Sequence, residues 1–162
     1  MMTADSDGSS LGIQILIIVL LTAINAFFAA AEIAFVSVNQ GKMSQKASEG
    51  DKKAQRVMRL LENSDEFLAT IQVAITLAGF FSSASAATSF SSRIQPLLEN
   101  VPGAETLAIL IVTVILSYLT LVFGELYPKQ VALQLAEPIA LHTAGIVLFV
   151  KKVSNPFVWI LT

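Results

Sequence analysis

Three long apolar runs, separated by short polar connections, organise the chain. Residues 11–24 are apolar apart from Gln14 and Thr22, and the run continues as Asn25-Ala26-Phe27-Phe28-Ala29-Ala30-Ala31-Glu32 to about Val38. At about 1.5 Å per residue, a helix over 11–38 more than crosses a hydrocarbon core of about 30 Å. Asn25, Ala29 and Glu32 fall at i, i+4 and i+7 on one face, where alanines let a neighbouring helix approach closely. That face is therefore a packed one carrying two polar groups.

The second run, 67–90, starts apolar and then collects small hydroxyls: Thr76, Ser82, Ser83, Ser85, Thr88 and Ser89. Gln72, Thr76, Gly79 and Ser83 share a stripe, and a polar stripe in a span faces protein or a water-filled cavity rather than lipid. Asn63 or Ser64 is expected to cap this helix, with Asp65 and Glu66 in its first turn. The third run, 106–127, carries Ser117 and Thr120 and ends on Phe123-Gly124-Glu125-Leu126-Tyr127-Pro128-Lys129.

The connections have their own character. Residues 1–10 are polar and small and are expected to be disordered. Residues 40–64 crowd Lys42, Lys46, Lys52, Lys53, Arg56 and Arg59 around Val57, Met58, Leu60 and Leu61, which predicts a short amphipathic helix on the membrane surface. In 130–162, Glu137-Pro138 and Lys151-Lys152 bracket a stretch of about a dozen residues, too short for a span and suited to an interfacial or re-entrant helix. Residues 153–162 form a second short apolar piece with Trp159 as an interface anchor. The prediction is an all-α polytopic membrane protein with three transmembrane helices and cytosolic juxtamembrane helices over 40–64 and 130–162.

Charge orients this arrangement. The positive-inside rule puts 40–64 in the cytoplasm. The N-terminus is then outside the plasma membrane, the 91–105 loop with Arg93 is external, and the C-terminus with Lys151 and Lys152 is cytoplasmic. Of the 162 residues, 54% are hydrophobic and 14% charged, against about 25% charged in a soluble domain. The absence of cysteine excludes disulfides, zinc–thiolate sites and cysteine nucleophiles. His142 is the single histidine, so a His-rich metal site or a His-based triad is not expected. The first run has an acidic flank and is too long for a signal peptide. There is no glycine-rich phosphate loop, HExxH or GxSxG, which argues against an enzyme. The basic segment lacks interleaved aromatics, which argues against nucleic acid.

The chemistry concentrates at the end of the third run. A carboxylate there is a functional candidate by default. Pro128 has no N–H, so within a helix the carbonyl of Gly124 loses its partner. Glu125 and that carbonyl are the oxygens a hard cation such as Mg2+ or Na+ uses. The alternative is a Glu125 that pairs with Lys129 at i+4 and reaches water. For Asn25 the alternative is a helix-to-helix hydrogen bond, and for Thr76 and Ser83 a bond back to their own helix. Counted from Leu11 and Thr106, Asn25 and Glu125 lie at different depths, and Glu32 matches Glu125 better.

Three motifs in order resemble one family. Asn25 to Ser37, Leu68 to Phe80 and Phe123 to Lys129 resemble the three helix motifs of the CorC / cyclin M (HlyC/CorC-type) transmembrane domain, with the basic segment between the first two. The resemblance covers nearly the whole of 11–162. It implies a homodimer in the lipid bilayer and a Na+-linked Mg2+ transporter, usually an exporter. It also implies cytosolic nucleotide-binding CBS domains and a C-terminal domain beyond the end of this chain. Carried over by motif, the ion ligands are Asn25, Thr76, the Gly124 carbonyl and Glu125; Ser83, on the stripe of Thr76, is added as a further oxygen. Some cyclin M members carry serines where Asn25 and Ala29 stand. Bacterial relatives are linked to export of other cations, so a polyamine exporter is one alternative and a non-transporting anchor that regulates a partner is another.

Overall fold

The computed structural model describes residues 4–161, all of whose regular elements are helical. Helix α1 (Ala4–Ser37) is followed by two short helices, α2 (Gln40–Ser48) and α3 (Lys52–Leu61). Helix α4 (Ser64–Ile94) runs into a 3-10 turn, Gln95–Leu98. Helix α5 (Ala104–Leu121) continues through a π-helical turn, Val122–Leu126, into α6 (Tyr127–Gln134), and α7 (Ala136–Leu161) closes the chain. Three stretches are long and apolar enough to cross a membrane: Ser10–Ser37, Ser64–Leu98 and Ala104–Gln134.

The three expected spans are present but longer. Helix α1 begins at Ala4, so the polar residues from there to Ser10 are helical rather than disordered; residues 1–3 lie outside the described part. The third span does not stop at Tyr127, because Pro128 sits in the first turn of α6, where a missing N–H costs least.

The basic connection differs more. It forms two helices, each started by a side-chain cap: Asn39 accepts from the Lys42 N–H, and Asp51 from the N–H groups of Lys53 and Ala54. Asn63 stands at the cap position of α4, but its side chain makes no capping bond. The apolar face of α3, Ala54, Val57 and Leu60, is fully buried in protein rather than laid on lipid. It packs against α7. The tail is one helix, not two pieces. Lys151 lies within it and pairs with Glu66 at 2.8 Å. Pro156 stands one turn before its end, at an exposed position where the carbonyl it frees can take water.

One core occupies the end of the bundle where α2, α3 and α7 gather. Phe35, Met43, Val57, Leu60, Phe67, Ile71 and Val147 are buried there, with the Phe35 and Phe67 rings 4.8 Å apart. Ala31, Ala34, Ala140 and Ala144 share that core, so the small residues expected to admit a neighbouring helix do so. The other end has only a small cluster, Ile18, Ala86 and Val112. Its outer faces are apolar and exposed, as surfaces meant for lipid are.

Candidate functional site

The site is built around the π turn. With no N–H on Pro128, helical bonding is released at Gly124, and its carbonyl accepts instead from Asn25 Nδ2 at 2.9 Å. A carbonyl only accepts, so this bond fixes the amide: Nδ2 faces Gly124 and Oδ1 faces away. Asn25 is buried, and its Oδ1 has no hydrogen-bond partner among the described residues. A buried acceptor left without a donor is costly unless something electropositive reaches it.

Gly124 is the residue that lets α1 come this close. A Cβ built there would sit 3.1 Å from Asn25 Nδ2 and 3.4 Å from the methyl groups of Thr22 and Thr120. The depth mismatch between Asn25 and Glu125 also disappears. Measured back from Ser37 and Gln134, where α1 and α6 end, Asn25 and Gly124 lie at about 18 and about 15 Å. Counting from Leu11 and Thr106 fails because neither helix begins or ends where hydropathy does.

Asn25, Thr76, Ser83 and Glu125 line one cleft of about 380 Å³, together with Ser117 and Thr120. Phe80 is its only aromatic wall residue. Gly124 lies behind Asn25, bonded to it. The structure thus brings Asn25, Thr76, Ser83, Gly124 and Glu125 to one place, while Glu32 lies outside the cleft lining. Elsewhere Thr70, Thr88, Ser91 and Thr143 turn their hydroxyls onto carbonyls of their own helices. Thr76 and Ser83 make no such bond among the described residues. His142 bonds the Pro138 carbonyl at 2.7 Å, away from the cleft.

Charge enters from the side. Lys129 Nζ donates to Glu125 Oε1 at 3.0 Å and lies 3.2 Å from Glu32 Oε2. That second contact is an ion pair without hydrogen-bond geometry, and Glu32 Oε2 is buried with no bonded partner. The three groups carry a formal charge of −1 where α1 meets the π turn and α6. Sequence considered Glu125 with Lys129, and Glu32 by itself; the bridge joining them depends on α6 crossing α1 and has no local signal. Among the described residues no three of His, Cys, Asp and Glu gather closely enough to hold a metal by themselves. A cation here would therefore rely on carbonyl, amide and hydroxyl oxygens around one or two carboxylates.

The family model of the cyclin M transmembrane N-terminal domain matches residues 15–162. A UPF0053 protein of Synechocystis sp. is 32% identical over 157 residues, covering 94% of this chain and 35% of its own length. The UPF0053 protein YrkA of Bacillus subtilis is 33% identical over 153 residues, covering 92% and 35% respectively. A protein of Haemophilus influenzae named as a polyamine export protein is 29% identical over 152 residues, covering 90% and 34%. The chain spans about a third of the length of these curated relatives. With its three membrane-length helices, and a family match that takes in the whole π-turn site, the chain belongs to the cyclin M transmembrane domain family.

Proposed function

We propose that this domain moves a divalent cation, Mg2+, across the plasma membrane by alternating access, with Na+ as the coupling ion. The observation that carries the proposal is the orphaned Asn25 Oδ1, buried beside the Gly124 carbonyl at the wall of a cleft that also holds Glu125. An oxygen turned away from its only bonded neighbour suits a cation as its missing partner. Thr76, Ser83, Ser117 and Thr120 add neutral oxygens. Mg2+ gives up its water reluctantly, and a cleft of about 380 Å³ has room for a partly hydrated ion.

Lys129 sets the electrostatic condition. While its ammonium bridges Glu32 and Glu125, the node has one negative charge to offer, enough to balance one Na+. If Lys129 swings away the node offers two, enough to balance one Mg2+. Exchange of the two ions at overlapping oxygens follows from that difference. In this reading the lysine-rich α2–α3 end and Lys151–Lys152 face the cytoplasm and the N-terminus faces outside. Two copies form the working unit, and cytosolic CBS domains that bind nucleotide lie beyond this chain.

Polyamine export is the second reading, favoured by the name of the Haemophilus influenzae relative. The cleft favours an inorganic ion, since six of its ten lining residues bear side-chain oxygens and one is aromatic. Titration calorimetry on the purified domain separates the two. Saturable Mg2+ binding is expected in the wild type. It should weaken at least tenfold in Glu125→Ala and several-fold in Asn25→Ala, with both variants still folded. Spermidine binding that depends on Glu125 while Mg2+ binding does not would replace this reading with the polyamine one. Binding of neither cation would leave the domain as an anchor.

A further inference from the structure

A second site lies outside the cation cleft, beside the first turn of α4. Arg59 in the last turn of α3, Glu66 in α4, and Leu148, Phe149, Lys151 and Lys152 in α7 enclose a groove of about 580 Å³. Its polar lining is lopsided. Lys151 and Glu66 neutralise each other at 2.8 Å. Arg59 and Lys152 are exposed and have no acidic partner among the described residues. Lys42, Lys46, Lys129 and Lys151, by contrast, are all paired. The groove is therefore lined by two unbalanced cations contributed by different helices.

We infer that this groove binds the head-group of an anionic phospholipid. Three observations choose lipid over a soluble anion. The groove lies where the second span begins, since the membrane-length stretch starts at Ser64, between Arg59 and Glu66. Its wall includes an apolar surface, Leu148 and the exposed ring of Phe149, which a free phosphate would not use. Past it, α7 presents Val153, Phe157, Trp159 and Ile160 outward, with Trp159 79% exposed. Cations at head-group height with apolar side chains beside them match a phosphate joined to acyl chains. The inference does not depend on what the cleft transports.

The test is native mass spectrometry of the detergent-purified protein offered equal phosphatidylglycerol and phosphatidylcholine. The wild type should retain phosphatidylglycerol over phosphatidylcholine by about thirtyfold, as expected for two basic groups near a membrane surface. That preference should shrink as salt is raised. Arg59→Gln/Lys152→Gln should bring the two lipids near parity. Lys52→Gln/Lys53→Gln, which removes two charges outside the groove, should leave the preference in place. A wild type without preference, or a preference indifferent to salt, overturns the inference without any variant. An equal loss in the Lys52/Lys53 pair assigns the effect to diffuse surface charge and overturns it as well. Displacement of the lipid by equimolar glycerol phosphate would mark a soluble-phosphate site instead.

Discussion

Two ion-paired nodes in this molecule are charge-inverted copies of each other. At the start of α7 one carboxylate, Glu137, is shared by two lysines: Lys42 at 2.6 Å, and Lys46. Within the third span one lysine, Lys129, is shared by two carboxylates, Glu32 and Glu125. The first node has a surplus positive charge and the second a surplus negative one. Their side chains are about equally shielded by protein, at 28% exposure for Glu137 and 26% for Lys129. Surroundings separate them. The Glu137 node lies outside the three membrane-length stretches, where water hydrates its surplus, so it acts as a clamp between α2 and α7. The Lys129 node lies between two membrane-length stretches, with Glu32 in Ser10–Ser37 and Glu125 and Lys129 in Ala104–Gln134, where a surplus charge is expensive. The same pairing chemistry fastens the fold in one place and leaves one negative charge unbalanced in the other.

Lys129→Met should break the comparison most strongly. It turns the inner node from −1 to −2, so Mg2+ should bind about tenfold more tightly, the equivalent of about 1.4 kcal/mol. Without a divalent ion the two carboxylates should repel and lower the melting temperature, and Mg2+ should restore it. Calorimetry and melts with and without Mg2+ check both halves. Unchanged affinity would detach the node from the cation path.

Gly124→Ala should come next. The added methyl meets Asn25 Nδ2 at 3.1 Å, so α1 or the amide must shift. The expected cost is about 1–3 kcal/mol, read as a lower melting temperature, with weaker Mg2+ binding because Oδ1 moves with Nδ2.

Glu137→Gln should have the smallest effect and leave Mg2+ affinity unchanged. Its hydrogen bonds to Lys42 and then Lys46 hold the Glu137 carboxyl below its ordinary 4.5. Its contribution is therefore present above that value and lost as pH falls through the lower folded one. The hydrogen bond to Glu137 holds Lys46 above its ordinary 10.5, so that side of the pair is lost only as pH rises beyond it. Melts between pH 3 and 7 should show wild type and Glu137→Gln converging at the acid end. A gap that widens there would contradict the clamp.

What could be read from sequence was what proline, glycine and hydropathy dictate locally. The three spans follow from apolar runs. The release of the Gly124 carbonyl follows from the missing N–H of Pro128, and the structure has it accepting from another helix. The identity of that donor was less accessible. Asn25 was singled out as polar on a packed face, yet its meeting with Gly124 depends on where α1 and α6 end, and helices run past their apolar segments when caps and ion pairs carry them on. The tail shows the same limit. Lys151–Lys152 looked like a boundary by charge, but Glu66 of another helix neutralises Lys151, and such a partner has no signature within 130–162. Asn39 and Asp51, which divide the basic segment into α2 and α3, are capping residue types whose signal is weak beside the pattern of lysines.

The π turn has one last consequence. An α-helix advances 100° per residue, and a π turn holds one residue more than its neighbours on the same rod. Val122–Leu126 is thus a phase slip in a screw: everything after it is rotated by about 100° relative to the thread of α5. That offset turns Lys129 toward Glu32 of α1 while Ser117 and Thr120, before the slip, still face the cleft. Removing Val122 or Phe123 would restore an even thread, and it would turn the ammonium away from Glu32 while its i,i+4 partner Glu125 rotates with it.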